Sequence, residues 1–274
     1  MPRVLILSSF VAASRVGGGA QALALARLGI EPILAPTVVF GRHPGHGPPG
    51  GAALEPGMFE SVLGGVEASG AFIGLDAVIT GHFSSAGQVA SAAEALERVR
   101  EASPGAILLV DPIMGDEDKG LYVREPVAEA IAAELIPLAD IVAPNAWELS
   151  RLTGRAVTDA ASAIAAARAL GKPALVSSVW AGEEIGVVYA LAEEAWMARH
   201  RRRDTAPKGT GDLLTAVFTA GLLGELAPAR ALAVAVGAVA GAVREAGDAA
   251  ELPLASFPTE LTLGSGVKLE SLGG

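Results

Sequence analysis

Gly209-Thr210-Gly211-Asp212 stands directly before an apolar helical run, Leu213 to Leu223. Glycines at a helix start let the backbone approach a ligand. The first-turn N–H groups there are unpaired and lie at the positive end of the helix dipole, which makes an anion site suited to phosphate. Asp212 has two readings: a helix cap, or a general base aimed at the group that meets the phosphate. Just upstream, Arg199, Arg201, Arg202, Arg203 and Lys208 put five of the 20 basic residues into ten positions, opposed only by Asp204. Guanidinium forks match phosphate oxygens, and a local positive field on an acidic chain draws anions; the bland alternative is a solvated basic strand end.

Two more clusters follow short apolar runs. Asp111-Pro112-Ile113-Met114-Gly115-Asp116 comes after Ile107 to Val110, and Ala143-Pro144-Asn145-Ala146-Trp147-Glu148 after Ile141 to Val142. Mg²⁺ takes oxygen ligands and keeps several waters, so one or two carboxylates suffice, and Asp111 and Glu148 are candidates. Each acid alone also reads as a turn or cap residue. Residues 36–57 hold five Pro and six Gly, with His43 and His46 among them. A loop that long is a lid, a binding loop or a surface insertion.

The elements that would position these residues alternate. Strand candidates are Val4 to Leu7, Ile33 to Ala35, Ala77 to Thr80, Ile107 to Val110, Ile141 to Val142, Ala174 to Ser177 and Gly186 to Leu191. Helical patterns cover Gly18 to Leu28, Ala86 to Arg100, Val127 to Leu135, Thr158 to Leu170, Asp212 to Leu223 and Ala227 to Ala246. Strands spaced by helices of ten or more residues predict an α/β fold of three layers, a central, mostly parallel sheet flanked by helices. In such sheets ligands sit at the carboxyl ends of the strands. No linker divides residues 1–274, so one domain with a Gly/Pro-rich lid or binding loop at 36–57 is expected.

Composition narrows the function. The chain has 274 residues, a formal charge of −10 and no Cys. The acidic balance argues against nucleic acid as the main partner, and the absence of Cys excludes disulfides and thiolate sites. The most apolar stretch, Ala231 to Val243, is too short to span a membrane. Val4 to Ala13 reads as a first strand rather than a signal peptide, so a soluble, cytoplasmic protein is expected. Gly17-Gly18-Gly19-Ala20-Gln21-Ala22 fits G-x-G-x-x-[GA]. However, the residues from Phe10 to Val16 separate it from the strand, and Ile33 to Thr37 offers no acid for a ribose, so a dinucleotide site is disfavoured. A P-loop motif is absent.

As an ordered set, these motifs resemble the ribokinase-like superfamily and, within it, the pyridoxal kinases of vitamin B6 salvage. The residues that carry the likeness are Ser9-x-Val11 with Val16-Gly17, and Thr37-Val38 with Phe40 and His43. Gly81-His82-Phe83-Ser84-Ser85-Ala86-x-Gln88, D-P-x-M-G, A-P-N-x-x-E and G-T-G-D complete the set. The likeness covers about residues 4–245. It implies ATP-dependent phosphorylation of the 5′-hydroxyl of pyridoxal, and of pyridoxine and pyridoxamine.

In that reading Asp212 is the general base, and Gly209, Thr210 and Gly211 form the anion hole. Ser9, His43, Pro44, Gly45, His46 and His82 border the substrate. Asp111, Ala143, Asn145, Glu148, Ser177, Arg199, Arg201 and Lys208 line the nucleotide, with Asp111 and Glu148 on Mg²⁺. A homodimer and a monovalent cation such as K⁺ are implied too. The chain departs from the family pattern at Gly18, where Asn is common, at His46 and His82, where Tyr is common, and at Ser177, where Lys is common. A hydroxymethylpyrimidine kinase of the same superfamily and a non-catalytic B6-binding protein are the rival readings. Asp212 favours the pyridoxal side, since the pyrimidine kinases generally carry Cys there.

If Asp212 is the base, Asp212→Ala should still bind ATP while turnover falls by on the order of 10²-fold or more, the usual contribution of a general base. Near-normal turnover would remove the assignment.

Overall fold

The computed structural model describes residues 1–203, 205, 207–264 and 266–273. The chain begins with β1 (Arg3–Val11), α1 (Gly17–Arg27) and β2 (Glu31–Phe40). A hairpin return, β3 (Gly51–Ala53), leads into α2 (Pro56–Ala68). Then come β4 (Ala77–Thr80), α3 (Ala86–Ala102), β5 (Ile107–Val110), the small hairpin β6 (Gly115–Asp116) and β7 (Gly120–Leu121), and α4 (Glu125–Ala130). β8 (Ile141–Val142), α5 (Ala146–Thr153), α6 (Ala160–Leu170), β9 (Ala174–Ala181), β10 (Glu184–Ala190) and β11 (Ala195–Arg201) follow. α7 (Thr210–Leu223), α8 (Pro228–Ala246) and β12 (Lys268–Ser271) close the chain.

Among the described residues, ten strands form one sheet in the order β12-β11-β10-β9-β8-β5-β4-β1-β2-β3. The six strands from β9 to β2 are parallel, and antiparallel strands extend the sheet at both edges. The parallel block is buried on both faces, which is why its strands read as unbroken Val, Ile and Leu runs. The pleat sorts them. Val4 and Ile6 of β1 face α1, α7 and α8, whereas Leu5 and Leu7 face α2, α3 and α4. α5 and α6 pack on β9 and β10 through Leu149, Ala163, Ala167, Val176 and Val188. The three layers expected from the sequence are therefore present. No helix of the described residues is long and apolar enough to cross a membrane.

The largest difference from the sequence reading lies at 36–57. β2 runs on through Pro36 to Phe40, and β3 returns along it, pairing Val38 with Ala53 and Phe40 with Gly51. The stretch is thus a hairpin whose irregular part spans only 41–50. Pro36 is tolerated because β2 is braced chiefly by β1 there, and glycine at 51, with φ +82, lets β3 approach Val39. α4 stops its regular winding at Ala130 and continues as a wider turn over Ile131–Leu135. Helical winding thus reaches Leu135, as the sequence pattern predicts, and it widens before Pro137, which lacks an N–H and crowds the carbonyl four residues back. α2 and β11 escaped the sequence reading. Gly64 and Gly65 disguise the first, and the second is masked by its arginines.

Candidate active site

The residues singled out by chemistry gather at the carboxyl edge of the parallel strands. Ser9 is on β1, His82 follows β4, Asp111 follows β5, Ala143 follows β8, and Ser177 is on β9. The start of α7 faces them. Two cavities meet there. One, of about 340 Å³, is bordered by Ser9, His43, Pro44, Gly45, His82 and Asp212. The other, of about 500 Å³, is bordered by Asp111, Ala143, Asn145, Glu148, Ser177 and the Gly209 to Asp212 turn. Lys208, Gly209 and Asp212 belong to both walls. A third space of about 280 Å³ continues past Ser177, Thr210 and Gly211 between β10 and α8.

Two glycines place Asp212 at this junction. Gly209 precedes α7 with φ +90, and a Cβ on it would fall 2.3 Å from the Arg15 carbonyl oxygen. Gly17 opens α1 with φ +59, and a Cβ there would sit 2.0 Å from Ser9 Oγ. The closeness lets the Gly17 N–H donate to Asp212 Oδ2 at 2.8 Å. Oδ1 is buried and has no partner within the protein. Asp212 does not cap α7, whose N-cap is Gly209 without a side-chain bond, so the capping alternative fails. Burial pushes its carboxyl above the usual aspartate range, while the Gly17 N–H pulls the other way. The triple-glycine segment that mimicked a dinucleotide motif thus serves this aspartate.

The second cavity is acidic. Glu148 is buried, and its Oε1 accepts the Met114 and Gly115 N–H groups at 2.7 and 3.2 Å. Its Oε2 accepts the Asn145 N–H at 2.9 Å, and Asn145 in turn caps α5. The cap reading of Glu148 therefore holds alongside its place in the cavity wall. Burial raises its carboxyl to about 7. Asp111, also buried, is pushed well above the ordinary range by desolvation and then by the nearby negative charges of Glu148 and Asp212. Two acids with no neutralising base between them suit a hard cation whose remaining ligands are phosphate and water. No cluster of three metal-ligating side chains occurs among the described residues.

The basic cluster divides by the pleat. Arg199 and Arg201 point away from the cleft, contrary to the expectation that they line the nucleotide. Arg199 lies between Glu184 and Glu270, at 3.4 and 3.2 Å. Strand alternation sends Arg199 and Arg201 to one face and His200 to the other. His200, Arg202 and Arg203 border the third space, and Arg202 also borders the acidic cavity. The Arg202 guanidinium lies 4.4 Å above the Trp180 ring, a cation–π contact that holds it at the seam. Asp204, which opposes the arginines in the sequence, lies outside the described residues.

On the other side, His43 and His82 border the first cavity, but His46 does not. Its ring sits 5.6 Å from that of His43 at the exposed end of the short Pro44–His46 turn. Burial lowers His82 to about 4, so its ring is neutral near pH 7, and one ring nitrogen lies 3.3 Å from Ser84 Oγ. Sequence reasoning missed Lys119 and Tyr122, which, together with Asp116 of the Asp111 to Asp116 run, are brought to the cavity mouth by the β6–β7 hairpin. Its two-residue strands are too short to show a period. Trp180 and Arg202 were missed as a pair, though alternation along 195–201 already separates the arginines.

The sequence profile of the phosphomethylpyrimidine kinase family matches residues 59–254. A pyridoxal kinase of Deinococcus radiodurans is 39% identical over 233 residues, covering 80% of this chain and 78% of its own. A pyridoxine/pyridoxal/pyridoxamine kinase of Bordetella avium is 39% identical over 228 residues, covering 80% and 77%. Among solved structures, the pyridoxal kinase of Leishmania donovani in complex with ADP and pyridoxamine superposes with a TM-score of 0.91 at 25% identity. It covers 99% of this chain and 100% of that one.

The Gly17–Asp212 contact yields a test. In Gly17→Ala the added Cβ should displace the amide from Asp212 and lower kcat by roughly 10²-fold, as small misplacements of a reacting group do. Because the bond favours the carboxylate, its loss should also move the acid limb of the kcat/KM profile to higher pH. In the unsubstituted protein that limb should already lie above the usual aspartate value of 3.8. An unchanged profile and kcat would show that the contact does not serve catalysis.

Proposed function

The chain belongs to the pyridoxal kinases, and on that premise we propose that it transfers the γ-phosphoryl group of ATP to the 5′-hydroxyl of pyridoxal and related B6 vitamers. The observation that carries this is the Asp212 carboxylate. One oxygen is fixed by the Gly17 N–H, and the other is buried without a partner where two cavities meet.

In this reading the vitamer occupies the cavity of Ser9, His43 and His82, and ATP the acidic cavity with its extension between β10 and α8. Asp212 accepts the hydroxyl proton as the oxygen attacks phosphorus. The new O–P bond forms while the bond to the β-phosphate oxygen breaks, and ADP leaves. The Thr210 and Gly211 N–H groups at the start of α7 face the developing negative charge, so catalysis rests on positioning and electrostatics. Asp111 and Glu148 would hold Mg²⁺, which on binding neutralises phosphate charge. Ser177 offers no cation where Lys is common in the family. Lys208 and Arg202, both on the wall of the acidic cavity, would supply that charge. The whole chain would act as one kinase unit with the β2–β3 hairpin as its lid, as a cytoplasmic homodimer, with K⁺ as companion cation.

ADP release measured with pyridoxal, then with hydroxymethylpyrimidine, tests the activity. Faster turnover of pyridoxal is expected. Preference for the pyrimidine would transfer the chain to the rival substrate, and tight vitamer binding with no ADP from either would make it a binding protein. Arg202→Ala should raise the KM for ATP about tenfold, the loss of one charge-assisted contact, and leave the KM for pyridoxal within about twofold. An unmoved ATP KM would remove Arg202 from the nucleotide site.

A further inference from the structure

Gln88 belongs to the Gly81 to Gln88 motif, yet it touches neither cavity, and the reaction makes no direct use of it. It is fully buried at the first turn of α3. A glutamine amide has two N–H donors and a carbonyl acceptor. Here all three are engaged. Nε2 donates to the carbonyls of Thr37 and Leu54, at 2.8 and 2.7 Å, and Oε1 accepts the Ser84 N–H at 2.8 Å.

The two carbonyls are not arbitrary. Thr37 is on the outgoing arm of the β2–β3 hairpin and Leu54 immediately follows the returning arm, and the Leu54 N–H itself bonds the Thr37 carbonyl. Gln88 therefore clasps both arms at the root of the hairpin that carries Phe40 and His43 to the first cavity. The third bond fixes Ser84, whose hydroxyl lies beside the His82 ring. The Thr37 hydroxyl closes the circuit by donating to the His82 carbonyl at 2.6 Å. One side chain thus ties two walls of the same cavity, the hairpin and the His82 turn, to a rigid helix start. None of these partners borders the acidic cavity.

We propose that Gln88 is a positioning residue for the vitamer side of the active site, locking the hairpin root so that any closing movement is confined to residues 41–50. This rests on the kinase reading above for its kinetic signature but not for its structural one. The clasp makes motion at the root costly, because opening would leave a buried N–H or carbonyl without a partner. The connection at 41–50, with Gly at 41, 45, 47 and 50, has no such tie to α3.

The test compares Gln88→Leu, Gln88→Glu and Thr37→Val in the full chain. Gln88→Leu keeps the volume and loses all three bonds. The KM for pyridoxal should rise about tenfold, with the KM for ATP and kcat within about twofold. Gln88→Glu keeps the acceptor for Ser84 but donates only when protonated. Its pyridoxal KM, taken as a ratio to that of the unsubstituted protein at each pH, should fall as pH is lowered. Thr37→Val, a milder change that serves if Gln88→Leu does not fold, should shift the same constant in the same direction. Hydrogen exchange without substrate should be faster over 37–54 in Gln88→Leu and unchanged over 107–116. A pyridoxal KM that stays put, or both KM values rising together, overturns the inference. So does exchange that quickens throughout the fold. If the unsubstituted chain releases no ADP with any vitamer, the kinase reading fails, and the exchange pattern alone decides the clasp.

Discussion

The active site depends on how closely two helix starts approach each other. α1 and α7 come from opposite ends of the chain, and Gly17 and Asp212 are separated by 195 positions, yet the amide of one meets the carboxylate of the other. Only residues without a Cβ permit the approach, at Gly17 against Ser9 and at Gly209 against Arg15. The contact orients one carboxylate oxygen and leaves the other, without a protein partner, at the junction of the two cavities. The α1–α7 interface holds Gln21 against Thr215, so the helices are also tied one turn deeper.

Around that contact the electrostatics are arranged in opposition. Three buried carboxylates, Asp111, Glu148 and Asp212, converge from a strand end, a capping box and a helix start, and burial makes each a weaker acid than in water. Among the described residues, cationic groups stand at the rim: Lys208 beside the glycine turn, Lys119 on the β6–β7 hairpin and Arg202 on its tryptophan. The arrangement suits an incoming ligand that is itself highly anionic and arrives with a metal. Neither set of charges then remains uncompensated once the cleft is filled.

Much of this was legible in the chain. β4, β5 and β8 fall where their apolar runs placed them, and the glycine turn before α7 announced an anion site. What escaped has physical causes. β11 hid because its second half, Arg199-His200-Arg201, is polar on both faces, so hydrophobic alternation breaks off there. The β6–β7 hairpin is too short to carry any period, and with it went Lys119 and Tyr122. The segment at 36–57 looked like a long loop because its proline and glycine content is that of a loop. Its pairing is decided instead by β1 on one side and by a buried amide from α3 on the other. The role of Gly17 is invisible in its neighbourhood for a different reason: its partner is a carboxylate 195 positions away, which no local motif records.

The division of the basic cluster along β11 sets a rule for how this segment can change length. Side chains alternate faces residue by residue, so a single insertion or deletion between 195 and 201 would exchange the two sets. It would carry Arg199, now paired with Glu184 and Glu270, toward the cleft and send His200 outward. Gains or losses of two residues would preserve the pattern. In descendants of this chain, the stretch should therefore tolerate indels by parity rather than by size.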